Sequence, residues 1–500
     1  MNATLADALR ASARDAPDRI LVRDDDSVVT AAQLLDRATV LAHALTRRMP
    51  VGSIVSFTLP NWHEAAIIYL GTTLAGMIAN PILPSLRDHE LSFILADANS
   101  RAVFIPQVFG GHDYVAMLNR VVAGLPDPPH VVVVRGDAGS HTAFADLLGE
   151  PTTGTLPVLD PSHIQLILYT SGTTGRPKGV LHSHDSLHAL ITQLGRYWRI
   201  EPGDTFLVPS PVAHIGGSIY AFECPLLLGT QAVLMQRWDP DRAVALMLEH
   251  GCTHMAGATP FLDGLLAAAQ RADTRLPDLK VFICGGASVP PSLIRRATQD
   301  LDKAAVSRVY GSTEVPVTTV GSLDDAERAA DTDGRPGVAE VVIVDGEIRS
   351  RGPQMFRGYL HPEDSAGAFD ESGYFRTGDL GRFTDDGHLV VTGRAKDIII
   401  RNGENISPKE VEDILVTHPQ IAEIAIVGVP DSRTGERACA TIVAAGGGGP
   451  EVADLHEFLV AHGVAKFKVP EQVRFVDALP KNDAGKVLKH VLRAELIKES

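Results

Sequence analysis

An alternation repeated along most of the chain constrains its fold more than any other feature. Short runs rich in β-branched residues, at 51–59, 101–105, 131–134, 164–169 and 280–284, are separated by longer stretches whose apolar residues recur at helical spacing. Branching at Cβ stiffens the side chain and suits a pleated strand better than a helix. Runs of this kind between amphipathic helices are covered on both faces, which predicts stacked α/β layers with largely parallel sheets. The chain has 500 residues, 45% of them apolar. That exceeds what one core organises and predicts at least two domains, with disorder excluded as the main state.

Around position 340 the texture changes. Residues 341–344, the dipeptide Asp345-Gly346 and residues 347–349 read as a hairpin whose turn accepts φ > 0. A second hairpin is expected between 381–383 and 388–391, joined through Asp385-Asp386-Gly387, and the polar stretch 393–397 follows it directly. That stretch is the candidate domain boundary, dividing the chain into 1–395 and 396–500. Beyond it a helix is expected to start with Ser407 as N-cap, Pro408 at the first helical position and Glu410 closing a capping box. Strands at 421–429 and 438–444, a glycine-rich loop at 446–449 and a helix at 452–461 would complete a small α+β domain.

Several function classes are excluded. Lysine and arginine total 45 against 61 acids, a formal charge of −16; a nucleic-acid surface needs a local excess of cations, so no nucleic-acid partner is expected. The cysteines Cys224, Cys252, Cys284 and Cys439 have neither disulfide-framework nor zinc-site spacing. The N-terminus carries Asp7, Arg10, Arg14, Asp15, Asp18 and Arg19 where an export signal needs apolar residues. A cytoplasmic protein is therefore expected. The uncharged stretch 65–86 is interrupted by Asn80, Pro81 and Pro84. It is read as a buried helix of about 15 residues, too short to span a membrane.

The strongest local signal is 169–180, where a β-branched run ends in a turn holding three glycines, four hydroxyl residues (Thr170, Ser171, Thr173, Thr174) and the cations Arg176 and Lys178. Backbone N–H groups, hydroxyls and ammonium groups in such a turn can surround a polyphosphate. The Walker spacing of glycine and lysine is absent. By composition alone the segment also fits a glycine- and threonine-rich surface turn, so context must decide.

Four further segments supply that context: Tyr310-Gly311-Ser312-Thr313-Glu314, the stretch 374–381 around Asp379, the stretch 393–412, and Pro480-Lys481-Asn482-Asp483-Ala484-Gly485-Lys486. In this order, and with 169–180, they resemble the motifs of the adenylate-forming superfamily, which includes acyl- and aryl-CoA synthetases, firefly luciferase and peptide-synthetase adenylation domains. The resemblance implies an α/β fold: a large N-terminal domain of layered α/β sheets with a small β-barrel-like region, plus a small mobile α+β C-terminal domain. It also implies a reaction in which a substrate carboxylate attacks the α-phosphorus of ATP. Two anions must then meet, so neutralising charge is the main task. No general base is needed, since the carboxylate is already ionised near neutral pH.

Site roles follow from the same resemblance. Glu314, with Thr170 close by, would hold Mg2+, a hard cation that takes oxygen ligands. Thr313 would bond the α-phosphate or the substrate carboxylate. Lys178, Ser171, Thr173 and Thr174 would hold the outer phosphates in the loop that includes Gly172 and Gly175. Tyr310 would offer its face to the adenine, with Gly311 and Ser312 in the same motif, while Gly286 and Ala287 let the backbone approach the base edge. Asp379 has two acceptor oxygens for a ribose diol, and Arg394 would add a ribose or phosphate contact. Lys486 would reach the α-phosphate and the acyl carboxylate. Lys396 would be the hinge for rotation of the C-terminal domain, at a position where many relatives carry aspartate. Asn402, Gly403 and Glu404 would face a CoA tunnel. Lys466 and Lys468 are open between contacts to the CoA nucleotide and plain surface charge.

The segment Pro211-Val212-Ala213-His214-Ile215-Gly216-Gly217 resembles the acyl- and aryl-CoA ligases, with His214 bordering the acyl pocket; a structural core histidine is the other reading. No carrier domain is expected, since only 14 residues follow Lys486, so free CoA is the expected thiol. Small, apolar residues in the pocket segments favour a medium-chain, alicyclic or aryl acid. An acyl-AMP ligase that loads a separate carrier protein, or a non-catalytic nucleotide-binding paralogue, are the alternatives.

Overall fold

The computed structural model describes residues 4–25, 27–171, 176–286, 289–402, 404–431, 433–446, 448–482 and 485–499. Two seven-stranded sheets form its body. One runs in the order Pro177–Ser183, Ile164–Ser171, Ile78–Pro81, Ile54–Phe57, Ala102–Ile105, His130–Val133, Thr142–Ala143. The other runs Ala305–Arg308, Val281–Cys284, His254–Gly257, Thr205–Val208, Gln231–Leu234, Ile20–Arg23, Val28–Thr30. Pairing is parallel within both except at one edge of each, where a hairpin closes the sheet. The alternation therefore folds as expected: strands with branched, buried side chains on both faces need helices above and below. One core unites residues of both sheets, such as Phe57, Leu166, Phe206 and Ile283, with the helix His63–Leu74 and Phe222 between them.

A four-stranded antiparallel sheet follows, Glu340–Val344, Glu347–Arg351, Phe375–Phe383 and Leu389–Arg394. Its first turn has Asp345 and Gly346 both at positive φ, as the dipeptide demands. The rest of the chain builds a five-stranded sheet, Glu404–Ile406, Ile399–Arg401, Gly435–Ala444 and Ile421–Asp431, with Gln472–Phe475 paired to Gly435–Ala444. This sheet has a separate core of Ile399, Val411, Leu415, Ile426, Leu455 and Leu459, while Leu492 and Leu496 cover a second cluster with Ala425, Val427 and Cys439. The expected helix at 452–461 is present as Val452–Ala461.

Two local expectations need correction. The buried helix in 65–86 covers only His63–Leu74. It ends because Gly76 turns at φ +67° with its missing side chain facing Val51 and Pro157; Asn80 and Pro81 then continue as a strand, Asn80 Nδ2 donating to Ser56 Oγ at 2.9 Å. The second concerns Ser407. It precedes the helix Pro408–Leu415, but its hydroxyl makes no cap there. Instead it donates to the carbonyl of Thr392 at 2.5 Å, across the segment marked as the boundary, and Glu410 pairs with Lys468 at 2.7 Å. Among the described residues no helix is long and apolar enough to cross a membrane.

Candidate active site

The edge hairpin Ile164–Ser171 and Pro177–Ser183 sets Thr170 opposite Lys178 and Ser171 opposite Pro177. The residues that flank the phosphate turn are thus fixed at the edge of a sheet. Gly172, Thr173, Thr174 and Gly175, and the side chain of Ser171, lie outside the described residues, as do Ala287 and Gly403. Lys178 is half-buried; its Nζ lies 5.0 Å from the centroid of the Tyr359 ring, and the Tyr359 hydroxyl donates to Glu314 Oε1 at 2.9 Å. One chain of contacts thereby links a cation of the phosphate turn to the expected metal ligand. Burial and the adjacent Glu314 carboxylate push the Tyr359 hydroxyl far up, so it remains a donor.

The motif 310–314 follows the strand Ala305–Arg308, at the carboxyl end of the parallel strands, where ligands of open α/β sheets bind. Its backbone is tightly held. Ser312 N–H donates to Val315 O at 3.2 Å, Ser312 Oγ accepts from Val315 N–H at 3.2 Å, and a Cβ on Gly311 would stand 2.6 Å from Val317 N. Thr313 is half-buried, and its carbonyl accepts from His182 Nε2 at 2.7 Å. His182 is fully buried, and burial lowers its pKa to about 4; it is neutral at pH 7 and serves as a fixed donor. Nearby, Gly285 has no room for a side chain beside Val309, and Gly286 turns at φ +80°.

The ribose site expected at Asp379 is the best defined part. Asp379 is buried at 6% exposure. It accepts from the Tyr310 hydroxyl at 2.8 Å and pairs with Arg394 Nε at 2.8 Å. The strand register sets Asp379 opposite Arg394. A carboxylate offers about four lone-pair sites, so two partners orient Asp379 and leave acceptor capacity for a diol.

Lys486 joins the same cluster from the end of the chain. Its loop packs on the first turn of the helix Thr259–Arg271, where a Cβ on Gly485 would come 2.9 Å from Pro260. Asn482 holds the loop closed, its Oδ1 accepting from Lys486 N–H at 2.8 Å. Burial, then the positive charges of Arg394 and Lys396, lower the Lys486 pKa to about 8, with Asp379 and Asp397 opposing. Tyr310, Asp379 and Arg394 thus form one contact cluster, and Lys486, from a third distant stretch of sequence, lies within reach of the Asp379 and Arg394 charges.

The family model for AMP-binding enzymes matches residues 9–360, and that for the AMP-binding enzyme C-terminal domain matches 410–486. The chain belongs to the AMP-binding enzyme family. It is 34% identical to a medium-chain fatty-acid–CoA ligase of Escherichia coli (strain K12), covering 99% of this chain and 91% of that one. It is also 34% identical to a methyl-dioxo-octahydro-indenyl propanoyl:CoA ligase of Rhodococcus jostii (strain RHA1), covering 98% of each. The crystal structure of ATP-bound MatB from Rhodopseudomonas palustris aligns over 100% of both chains, with a TM-score of 0.89 at 29% identity. The layered N-terminal body and small C-terminal domain are those of this family.

His214 is half-buried ahead of the helix Ile215–Ser218. Lys396 is exposed in a single turn, Ala395–Asp397, between the two domains' sheets. Asn402 turns at φ +50°, with its N–H on Thr434 O at 2.8 Å, and Glu404 is exposed on the strand Glu404–Ile406. Lys468 is engaged by Glu410, which favours the surface-charge reading for it.

Three supporting residues were not foreseen. His182 and Tyr359 steady Thr313 and Glu314, and Asp97 accepts from both Tyr169 at 2.8 Å and His361 at 3.0 Å. None stands in a recognisable motif; each acts across a long sequence separation, and only the fold brings it to the site.

Proposed function

We propose that the protein joins a carboxylic acid to CoA through an acyl-adenylate. The observation that carries this reading is that Lys486, from a distant stretch of the chain, feels the charges of Arg394 and Asp379, the pair that Tyr310 also contacts. The donor set at Glu314, a half-buried carboxylate with one oxygen oriented by Tyr359, together with the Thr170 hydroxyl, is oxygen only and fits Mg2+. When bound, that ion would supply charge neutralisation on phosphate oxygens. This chain's own groups do the rest. Asp379 binds the ribose, Tyr310 flanks the base, and Lys178 binds outer phosphates. Lys486 neutralises the approaching carboxylate and α-phosphate as the acid oxygen attacks phosphorus and pyrophosphate departs. In the second step the CoA sulfur, its thiol proton lost to solvent, attacks the acyl carbon, and AMP leaves with the electrons of the broken C–O bond. We place the division of labour at Lys396, with 1–395 holding ATP and acid and 396–500 carrying Lys486 and the tunnel residues Asn402 and Glu404.

A medium-chain, alicyclic or aryl acid is the proposed substrate class, supported by relatives named for a medium-chain fatty acid and for a bicyclic propanoate. A reducing cytoplasmic setting accords with four buried cysteines that form no disulfide. Acid-dependent exchange of pyrophosphate into ATP, without CoA, tests the adenylation step. Exchange with hexanoate, octanoate or benzoate supports the reading, and no exchange with any acid of the three classes counts against it.

A further inference from the structure

Arg176 and Lys178, the cations of the phosphate turn, share one carboxylate. Asp364 Oδ2 lies 2.6 Å from an Arg176 terminal nitrogen and Asp364 Oδ1 lies 3.6 Å from Lys178 Nζ. The Asp364 carbonyl adds a contact to Lys178 Nζ at 3.4 Å. The Asp364–Lys178 pair is sheltered, with the Asp364 side chain 12% exposed and that of Lys178 18%, whereas Arg176 is 44% exposed and also stands 3.9 Å from Asp97 Oδ1. It is also built into the fold. Asp364 sits in the single turn Pro362–Ser365. His361, just before that turn, is tied through Asp97 to Tyr169 on the strand that enters the phosphate loop, and Ser365 Oγ accepts from Tyr359 N–H at 3.3 Å. Two oxygens of one anion taking one cation each is the pattern a phosphate group would also satisfy.

Resting on the phosphate role proposed above for this loop, we propose that Asp364 is an internal counter-anion that competes with the polyphosphate for Arg176 and Lys178. The binding-competent arrangement requires both cations to exchange Asp364 for phosphate oxygens. Apparent affinity for ATP and for pyrophosphate is therefore lowered by the fraction of molecules in which Asp364 holds them. The same exchange run backwards helps pyrophosphate leave, because its cations are neutralised again as it goes. AMP has no outer phosphates and is insensitive to the competition.

The test compares binding of AMP, Mg·ATP and Mg·pyrophosphate to the full-length wild type and to Asp364→Asn, by calorimetry and without any acid. Asp364→Asn should tighten ATP and pyrophosphate by about fivefold, the size of one partly exposed ion pair, and leave AMP unchanged. Unchanged or weaker ATP and pyrophosphate binding overturns the proposal, and so does a parallel change in AMP affinity, which would mark Asp364 as merely structural. Should Asp364→Asn not fold, Asp364→Ser makes the same comparison with a smaller side chain, and Asp364→Glu, which keeps the charge, should restore wild-type affinities. Because no acid is used, failure here is separate from failure of the ligase reading, which the exchange assay reports.

Discussion

Lys486 carries its charge into a place that penalises it. Burial and the nearby cations Arg394 and Lys396 bring its pKa down to about 8, so the ammonium form needed beside two anions is lost as pH rises through that value. For the free enzyme, kcat/KM of adenylation should fall above about pH 8, whereas kcat should hold to higher pH because bound ATP stabilises the ammonium. A kcat/KM profile flat from about pH 7 to about pH 9.5 would contradict this. In the same residue, Lys486→Ala should cost about a hundredfold or more in adenylation, while conversion of supplied acyl-adenylate to acyl-CoA is retained. Equal loss in both half-reactions would remove the assignment.

At the scale of elements, the helix that follows His214 widens into a π-turn at Ile219–Glu223. Glu223 is fully buried there and bonded to the Tyr69 hydroxyl, which in turn accepts from Gln165 Nε2 at 2.9 Å. Burial raises the Glu223 pKa to about 8, so the folded protein holds a proton that the unfolded chain has already released. Stability therefore falls with rising pH, by about 1.4 kcal/mol per pH unit, between the ordinary carboxylate value and about 8. Glu223→Gln should flatten that decline in a pH series of thermal unfolding. An identical slope in the variant would show that Glu223 is not its source.

The hinge belongs to this scale too. Lys396 is exposed in a one-turn segment, and fixing its φ with proline should restrict rotation rather than unfold either domain. Lys396→Pro should leave adenylate formation within about threefold and lower thioester formation tenfold or more. Comparable losses in both steps would place the hinge elsewhere.

What could be read from sequence divides along a physical line. The strands at 101–105, 131–134 and 280–284, both hairpins and the helix at 452–461 were legible because periodicity and turn dipeptides are local properties. Glu314, Asp379 and Lys486 could be proposed as site residues because each stands in a motif resembling a known family. The early stop of the helix His63–Leu74 and the hydroxyl of Ser407 turning to Thr392 were not, since each depends on a neighbour that the fold supplies. The same holds for Tyr359, His182 and Asp364, whose roles exist only as contacts to residues far away in the chain.

For the whole molecule, a formal charge of −16 meets a reaction whose substrates are all anions. On the proposed assignment attraction is supplied locally, by Lys178, Arg394 and Lys486, each of which stands near an acid. Placing a few cations where the carboxylate, phosphates and ribose meet gives transition-state charge a preorganised counterpart, which counts for more than overall charge. The central claim is that this constellation activates a carboxylic acid and passes it to CoA. Incubation of the protein with ATP, Mg2+, CoA and an equimolar pool of medium-chain, alicyclic and aryl acids, read by mass, tests it most directly. The account predicts an acyl-CoA from one of these classes with AMP and pyrophosphate formed in equal amounts, and its absence with ATP unconsumed across the pool would contradict it.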